Sequence, residues 1–222
     1  AVEVERLGAA VPFKMQSRVD LMTRDTVRAL RQAGCADVWL GVESGSQRIL
    51  DAMDKGTRVE QISKARDNLR SEGIRACYFL QFGYQGEGWE DIQETVNLVR
   101  NTRPDDIGVS VSYPLPGTKF FDRVQSQLSD KTNWSDSEDL SMMFQGAYTD
   151  EFYRALHDAL HAQVRSFNSR DEYATSSPAE LWNRVVQLEK SCRNPRATVP
   201  PSFVSQELVQ LQSGSGLRSG DE

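Results

Sequence analysis

Apolar and polar positions repeat along the first half of the chain in one order: a short apolar run, a polar turn and an amphipathic stretch. Apolar runs without helical spacing predict buried strands, whereas apolar positions three and four residues apart predict helices with one buried face. Strands that alternate with helices pair in parallel through right-handed crossovers. Four strands are expected, over 13–19, 37–42, 74–82 and 107–113.

Helices are expected between the strands and after the last one. Thr23 is a favourable N-cap and Gly34 a typical helix stop, so they bound a helix between the first two strands. The same reasoning predicts the other helices over 47–53, 59–72, 89–100, 150–167 and 178–192. Four strand–helix units do not close an eight-stranded barrel, so the chain forms either a small open sheet or an incomplete barrel.

The chain divides into three parts by composition. Residues 1–124 hold the strand–helix units, 125–192 predict a helical extension, and 193–222 are rich in Pro, Ser and Gly and are expected to be disordered. Residues 1–12 resemble the end of a preceding element.

Charge and cysteine usage narrow the function classes. The 222 residues include 26 Lys and Arg against 32 Asp and Glu, a net charge of −6, and the basic residues form no stripe, which argues against a nucleic-acid partner. No apolar run is long enough to span a bilayer, and no secretory signal opens the chain. The three cysteines are odd in number and far apart, as in a reducing compartment, so a cytoplasmic protein is expected.

The most informative turn follows the second strand. There the chain reads Glu43-Ser44-Gly45-Ser46 before a helical pattern begins, which places a carboxylate, two hydroxyls and free backbone N–H groups at the carboxyl end of the sheet. Open α/β sheets and barrels bind ligands at that edge. A helix start uses the same groups for N-capping, so the turn alone supports ligand binding and capping equally.

Other strand ends carry polar residues that would converge on the same edge. Arg18 and Gln16 share one face of the first strand, because successive side chains of a strand alternate between its faces. Arg18 either forms an exposed salt bridge or lines the inside of an incomplete barrel near Glu43. Gln81 occupies the corresponding end of the third strand.

Two histidines on the long helix after residue 150, His157 and His161, have the spacing of a zinc-binding pair in metalloproteases. The residue after the first histidine is Asp158, whose side chain reaches a bound water less well than the glutamate of that motif. No third ligand stands nearby in the sequence. A surface or packing role is therefore expected for both histidines, and no metal site is assigned.

Six short motifs follow one another between residues 13 and 124. They are Ser17-Arg18-Val19-Asp20, Ala33-Gly34-Cys35, Gly41-Val42-Glu43-Ser44-Gly45-Ser46, Lys55-Gly56, Phe82-Gly83-Tyr84-Gln85-Gly86-Glu87 and Tyr113-Pro114-Leu115-Pro116-Gly117-Thr118. In order and spacing this set resembles the second half of the radical S-adenosylmethionine (SAM) domain. It is most similar to the cobalamin-dependent branch, and within that branch to the anaerobic magnesium-protoporphyrin monomethyl ester cyclase type. Residues 125–222 match only as the variable region that follows the domain.

The resemblance implies a fold, a chemistry and a set of cofactors. The fold is α/β, a partial (incomplete) TIM-type barrel of parallel strands with outer helices, followed by a helical C-terminal extension. Complete enzymes of this kind hold SAM and a [4Fe–4S] cluster, and electron transfer from the cluster cleaves SAM to a 5′-deoxyadenosyl radical that abstracts hydrogen from the substrate. The same resemblance implies cobalamin as a further cofactor and a small-molecule substrate, tetrapyrrole or lipid-like.

The resemblance also assigns residues to the cofactor site. Carried over by position, Arg18 and Glu43 fall where family members contact the ribose or the methionine moiety of SAM. Ser44 and Ser46 flank that contact, and Lys55 stands at a basic position near the SAM carboxylate. An anionic acceptor suits ribose hydroxyls, and a cation suits a carboxylate. The cofactor-binding residues expected in this way are Arg18, Glu43, Ser44, Ser46, Lys55 and Gln81.

The chain departs from the family pattern in several places. It lacks the Cys-x3-Cys-x2-Cys loop that binds the cluster, the glycine-rich methionine-binding segment and the upstream cobalamin domain, and Gln85 replaces the proline of the family's Gly-Leu-Pro-Gly-Glu loop. We therefore expect a fragment or one part of a split radical SAM enzyme that is inactive by itself. In the family pattern further strands pair with the first strand, so its open edge would need a partner, such as the N-terminal half as a separate chain. The alternatives are a non-catalytic remnant or interaction module with the same half-barrel, and an unrelated lyase with Glu43 as general base, for which no second catalytic group is apparent.

Overall fold

A computed structural model describes residues 1–128, 140–167 and 177–194 of the chain. The strands are β1 Phe13–Ser17, β2 Cys35–Glu43, β3 Arg75–Phe82 and β4 Asp106–Val111. The helices are α1 Val2–Leu7, α2 Arg24–Gln32, α3 Gln47–Ala52, α4 Val59–Ser71, α5 Trp89–Thr102, α6 Lys119–Val124, α7 Asp150–Phe167 and α8 Pro178–Ser191.

The four strands form one sheet in sequence order, and each strand pairs in parallel with the next. Helices connect the strands as the repeated sequence pattern predicts. Thr23 caps α2, since its hydroxyl accepts a hydrogen bond from the backbone N–H of Thr26 at 3.2 Å. The predicted α/β fold of parallel strands with surrounding helices and a helical C-terminal region is therefore confirmed.

The sheet has one covered and one open face. In β2, the side chains of Val38, Leu40 and Val42 are fully buried and belong to the core that the helices share. Trp39 points to the opposite face, where its ring stacks on that of Phe79 in β3 with 4.8 Å between ring centroids. Because alternate residues of a strand face opposite sides, the same β2 positions that fill the core leave the open face to Trp39 and its neighbours.

The C-terminal helices pack against this sheet. Helix α7 contacts both β4 and α5, and its residues Phe152, Leu156 and Leu160 are fully buried in the same core as the strands. Trp89 at the start of α5 meets Phe152 edge-on, with 6.3 Å between ring centroids. Helix α8 packs on α7. No helix in these described segments combines the length and hydropathy that crossing a bilayer requires.

The end of β1 and two short helices differ from the sequence-based expectation for physical reasons. Strand β1 ends at Ser17 instead of residue 19, because the chain turns there into the 3-10 helix Val19–Leu21, which buries Val19. Helices α1 and α6 were not anticipated; each spans six residues, too few for a helical period to stand out. The tail predicted to be disordered, 193–222, lies outside the described residues except for its first two.

Leu156→Ala tests whether the C-terminal extension and the sheet unfold as one unit. Removing a fully buried leucine side chain leaves a cavity, and we expect a loss of about 2–5 kcal/mol in the free energy of unfolding. Urea unfolding is followed by tryptophan fluorescence and by far-ultraviolet circular dichroism, and both transitions should shift together. Val186→Ala, at a side chain that is 46% exposed on α8, is the control and should cost less than about 0.5 kcal/mol. Two separate transitions, of which only one shifts, would contradict a shared core.

Candidate functional site

The β2–α3 turn, residues 44–46, shapes the carboxyl edge of the sheet together with Glu43. Glu43 ends β2 with a left-handed backbone, φ 61°, where the ladder to β3 shifts register. Such a conformation is uncommon outside glycine and costs on the order of 1–3 kcal/mol. It turns the Glu43 carboxylate back over Gly41, so that a Cβ atom at residue 41 would lie 3.3 Å from Glu43 Oε1. Glycine at position 41 therefore leaves room for the carboxylate.

Lys55 holds the Glu43 carboxylate from beyond α3. The Lys55 ammonium donates a hydrogen bond to Glu43 Oε1 at 2.8 Å, and the Glu43 side chain is only 16% exposed. Helix α3 is short, and the backbone N–H of Lys55 donates to the carbonyl of Leu50 at 3.1 Å, which returns the chain towards Glu43. A carboxylate offers about four lone-pair positions, so Glu43 retains capacity to accept hydrogen bonds from a ligand.

The two serines of the β2–α3 turn contact α5. Ser46 Oγ donates to Asp91 Oδ1 at 2.7 Å, and Ser44 Oγ lies 3.2 Å from Thr95 Oγ1. Between them, the backbone N–H of Gly45 donates to Thr95 Oγ1 at 2.8 Å. Ser46 is the N-cap residue of α3, yet its side chain makes no capping hydrogen bond. The buried serine side chains therefore anchor the turn to α5.

Arg18 follows the carboxyl end of β1, and Gln81 lies in β3 next to Leu80, the ladder partner of Glu43. The Arg18 guanidinium pairs with Asp20, with 2.9 Å between Nε and Oδ1, and its side chain is 61% exposed. This ion pair lowers the pKa of Asp20. Of the two alternatives for Arg18, the structure shows the exposed salt bridge. Gln81 is partly buried in β3, beside Ser110 of β4. The structure thus brings Glu43 and Lys55 into contact, and cofactor binding by Arg18 and Gln81 stays a prediction.

Two residues of this edge, Asp91 and Thr95, were not anticipated from the sequence. Both lie on α5 and are buried, and they receive the hydroxyl and backbone donors of the β2–α3 turn. They stand one helical turn apart, next to the buried residues Ile92 and Val96. Buried polar groups need hydrogen-bond partners, so polar residues beside an apolar stripe were the available signal. Nothing in the sequence named their partners.

The β3–α5 loop, residues 83–88, encloses a buried carboxyl group. Glu87 Oε2 accepts a hydrogen bond from the backbone N–H of Gly83 at 2.5 Å. Burial raises the pKa of Glu87 to about 8, so this carboxyl group carries a proton at neutral pH. The hydroxyl of Tyr153 in α7 lies 3.1 Å from the position that a Cβ atom of Gly83 would take. The C-terminal extension therefore closes directly over this loop.

The cysteines of the described segments do not fit as ligands of an iron–sulfur cluster. Cys35 and Cys77 are buried in neighbouring strands, and Cys192 follows α8. Within the described ranges, no group of three or more His, Cys, Asp or Glu side chains could hold a metal ion.

The two histidines of α7 lie close together. The distance between the ring centroids of His157 and His161 is 4.3 Å, and burial lowers the pKa of His161 to about 4.

Comparison with known proteins bears on this sheet edge. The radical SAM superfamily profile matches residues 2–99, which include β1 to β3 and both loops of the edge. Over these residues the chain is similar to the radical SAM superfamily. The resemblance inferred from the six motifs is thereby confirmed.

Similar proteins include longer curated relatives and a solved structure. An uncharacterized methyltransferase of Pyrococcus horikoshii is 24% identical over 135 residues, 60% of this chain and 29% of that protein. Anaerobic magnesium-protoporphyrin IX monomethyl ester cyclase of Rubrivivax gelatinosus is 29% identical over 138 residues, 61% of this chain and 24% of that protein. The chain thus spans less than a third of either relative. The crystal structure of methylornithine synthase shares the fold, with 15% identity, a TM-score of 0.51 and coverage of 73% of this chain and 41% of that one.

Glu87→Gln tests the buried carboxyl group through the pH dependence of stability. Because the pKa of Glu87 is raised to about 8 in the folded chain, its contribution to stability is complete below about pH 4.5 and is lost as pH rises to about 8. Between these values the free energy of unfolding of the wild type should fall with a slope approaching about 1.4 kcal/mol per pH unit relative to Glu87→Gln. Urea unfolding at pH 5, 6, 7 and 8 measures both. Parallel pH profiles would show that Glu87 is ionised in the fold.

Proposed function

We propose that the chain is part of a radical SAM enzyme and forms the edge of its cofactor site that binds the ribose of SAM. The observation that carries the proposal is the left-handed Glu43, whose carboxylate lies at the carboxyl edge of a parallel sheet. Strained backbone persists where surrounding contacts hold it, and it concentrates at functional sites. A non-catalytic module would gain stability by placing glycine there, so the retained strain favours the binding function.

The residues of this edge would bind and orient the cofactor. The lone pairs of Glu43 that Lys55 does not occupy suit the O–H groups of a ribose, since charge-assisted hydrogen bonds are the stronger ones. The Lys55 ammonium has further N–H donors for the carboxylate of SAM. In enzymes of this superfamily, SAM and a [4Fe–4S] cluster supply a 5′-deoxyadenosyl radical. Because the three cysteines do not fit as cluster ligands, we assign no electron-transfer step to this chain.

A small molecule is the proposed substrate class of the complete protein. The cyclase of Rubrivivax gelatinosus, by its name, acts on a magnesium-protoporphyrin ester, which supports a tetrapyrrole over a lipid-like substrate. Cobalamin remains an expectation from the resemblance alone. All three cysteines are free, which suits a reducing compartment, and we therefore propose the cytoplasm as the location.

Glu43→Ala tests the site directly. Calorimetric titration of SAM into the reconstituted full-length enzyme should show an affinity loss of more than about tenfold, because removing a charged acceptor from a desolvated site costs on the order of 2 kcal/mol. Glu60→Ala, at an exposed glutamate of α4, should leave the affinity unchanged. Glu43→Gly separates binding from folding, since glycine adopts the left-handed backbone without strain. Its stability should match or exceed that of the wild type while its SAM affinity falls. Unchanged affinity in both Glu43 variants would end the assignment.

A further inference from the structure

A single carboxylate links the two loops of the cofactor edge. Asp91, in the first turn of α5, accepts hydrogen bonds from Ser46 Oγ at 2.7 Å and from the backbone N–H of Gly88 at 2.8 Å. It also accepts a two-pronged contact from the Arg48 guanidinium, with Nε at 3.2 Å from Oδ1 and a terminal nitrogen on Oδ2. The Asp91 side chain is only 9% exposed, so its hydrogen bonds are largely shielded from water. The β2–α3 turn and the β3–α5 loop thus meet at Asp91.

Arg48 adds a second link between the same segments. The guanidinium nitrogen that contacts Asp91 also donates to the backbone carbonyl of Gly86 at 2.9 Å. Arg48 itself lies in the first turn of α3, directly after the β2–α3 turn. Its planar guanidinium can therefore join α3, α5 and the β3–α5 loop at once, which the single ammonium of a lysine does not reproduce.

A close backbone approach fixes the same arrangement at greater depth. A Cβ atom on Gly45 would lie 2.6 Å from the carbonyl oxygen of Glu94 and 2.6 Å from Thr95 Cα. No side chain fits at that position without moving α5. The β2–α3 turn therefore packs directly against the backbone of α5. The contact of Arg48 with Asp91 lies on the outer side of this packing contact.

We propose that Arg48 and Asp91 are positioning residues, which form a clamp that fixes the β2–α3 turn relative to the β3–α5 loop. Neither residue needs to touch the cofactor. The clamp would present Glu43 and the β3–α5 loop as one preformed edge, and preformed sites bind more tightly because less ordering remains for the ligand to impose. The ligand in this inference rests on the proposed function, whereas the coupling of the two loops does not.

Amide hydrogen exchange of the ligand-free chain tests the coupling. The reporters are the N–H of Gly45, which donates to Thr95, and the N–H of Glu87, which donates to the carbonyl of Tyr84 at 2.9 Å. Neither reporter is bonded to Arg48 or Asp91. Arg48→Gln should speed exchange at both about tenfold, because local opening then costs less. Asp91→Asn should do the same, and the effect of the double variant should be smaller than the sum of the two single effects, since both changes remove the shared contact between Arg48 and Asp91.

Two further variants make the result specific. Arg28→Gln, at an exposed arginine of α2, removes the same charge far from the loops and should leave both reporters unchanged. Arg48→Lys keeps the charge without the planar contact and should recover only part of the protection. Faster exchange at one reporter alone, additive effects in the double variant, or wild-type protection in Arg48→Lys would each overturn the clamp.

SAM binding provides the second readout, measured by calorimetry on the reconstituted full-length enzyme. Arg48→Gln should lower the affinity about tenfold relative to Arg28→Gln, which removes the same charge from α2. Coupled loops in an enzyme whose wild type fails to bind SAM would contradict the proposed function and still support the clamp. SAM binding that is equally tight in the wild type and Arg48→Gln would contradict the clamp and leave the proposed function standing.

Discussion

The arrangement of the sheet edge depends on one packing contact, that of Gly45 against the backbone of α5. The approach is so close that only a residue without a side chain fits, and it brings the end of β2 against a helix that lies more than forty residues further along the chain. It also buries the hydroxyls of Ser44 and Ser46, which must then find partners away from water. Thr95 and Asp91 supply those partners. The close backbone contact and these buried hydrogen bonds therefore depend on each other.

This anchoring explains how the left-handed backbone of Glu43 is maintained. The residue sits between a register shift in the sheet ladder and a turn held by buried hydrogen bonds, so the chain has little freedom to relax. The strain, on the order of 1–3 kcal/mol, is offset by the interactions of the neighbouring residues. Lys55 contributes mainly orientation, since a partly exposed ion pair adds little to stability. The carboxylate is consequently fixed from both its backbone and its side chain.

Sequence patterns predicted the framework better than the contacts of the site. Parallel strands in sequence order, the Thr23 cap and the bounds of α7 follow from local periodicity and capping, and the structure has them. Glu43 and Lys55 were placed by motif, and they do meet. Arg18 forms its ion pair with Asp20, two residues further along. The alternation of side chains along a strand did not indicate this pair, because β1 ends before Arg18. The partners of the turn serines lie on α5, and no local spacing encodes a contact over that distance.

The C-terminal extension also contacts this edge of the sheet, through the β3–α5 loop. Helix α7 belongs to the core of the sheet, and its Tyr153 hydroxyl lies where a side chain at Gly83 would have to stand. Gly83 adopts φ 76° and donates its N–H to the buried Glu87, so the β3–α5 loop is held internally as well as from α7. A loop fixed on one side alone could still swing about its two ends. The β3–α5 loop contacts α7 through Gly83 and Arg48 through Gly86, so the chain segment that carries Glu87 has tertiary contacts at two of its residues.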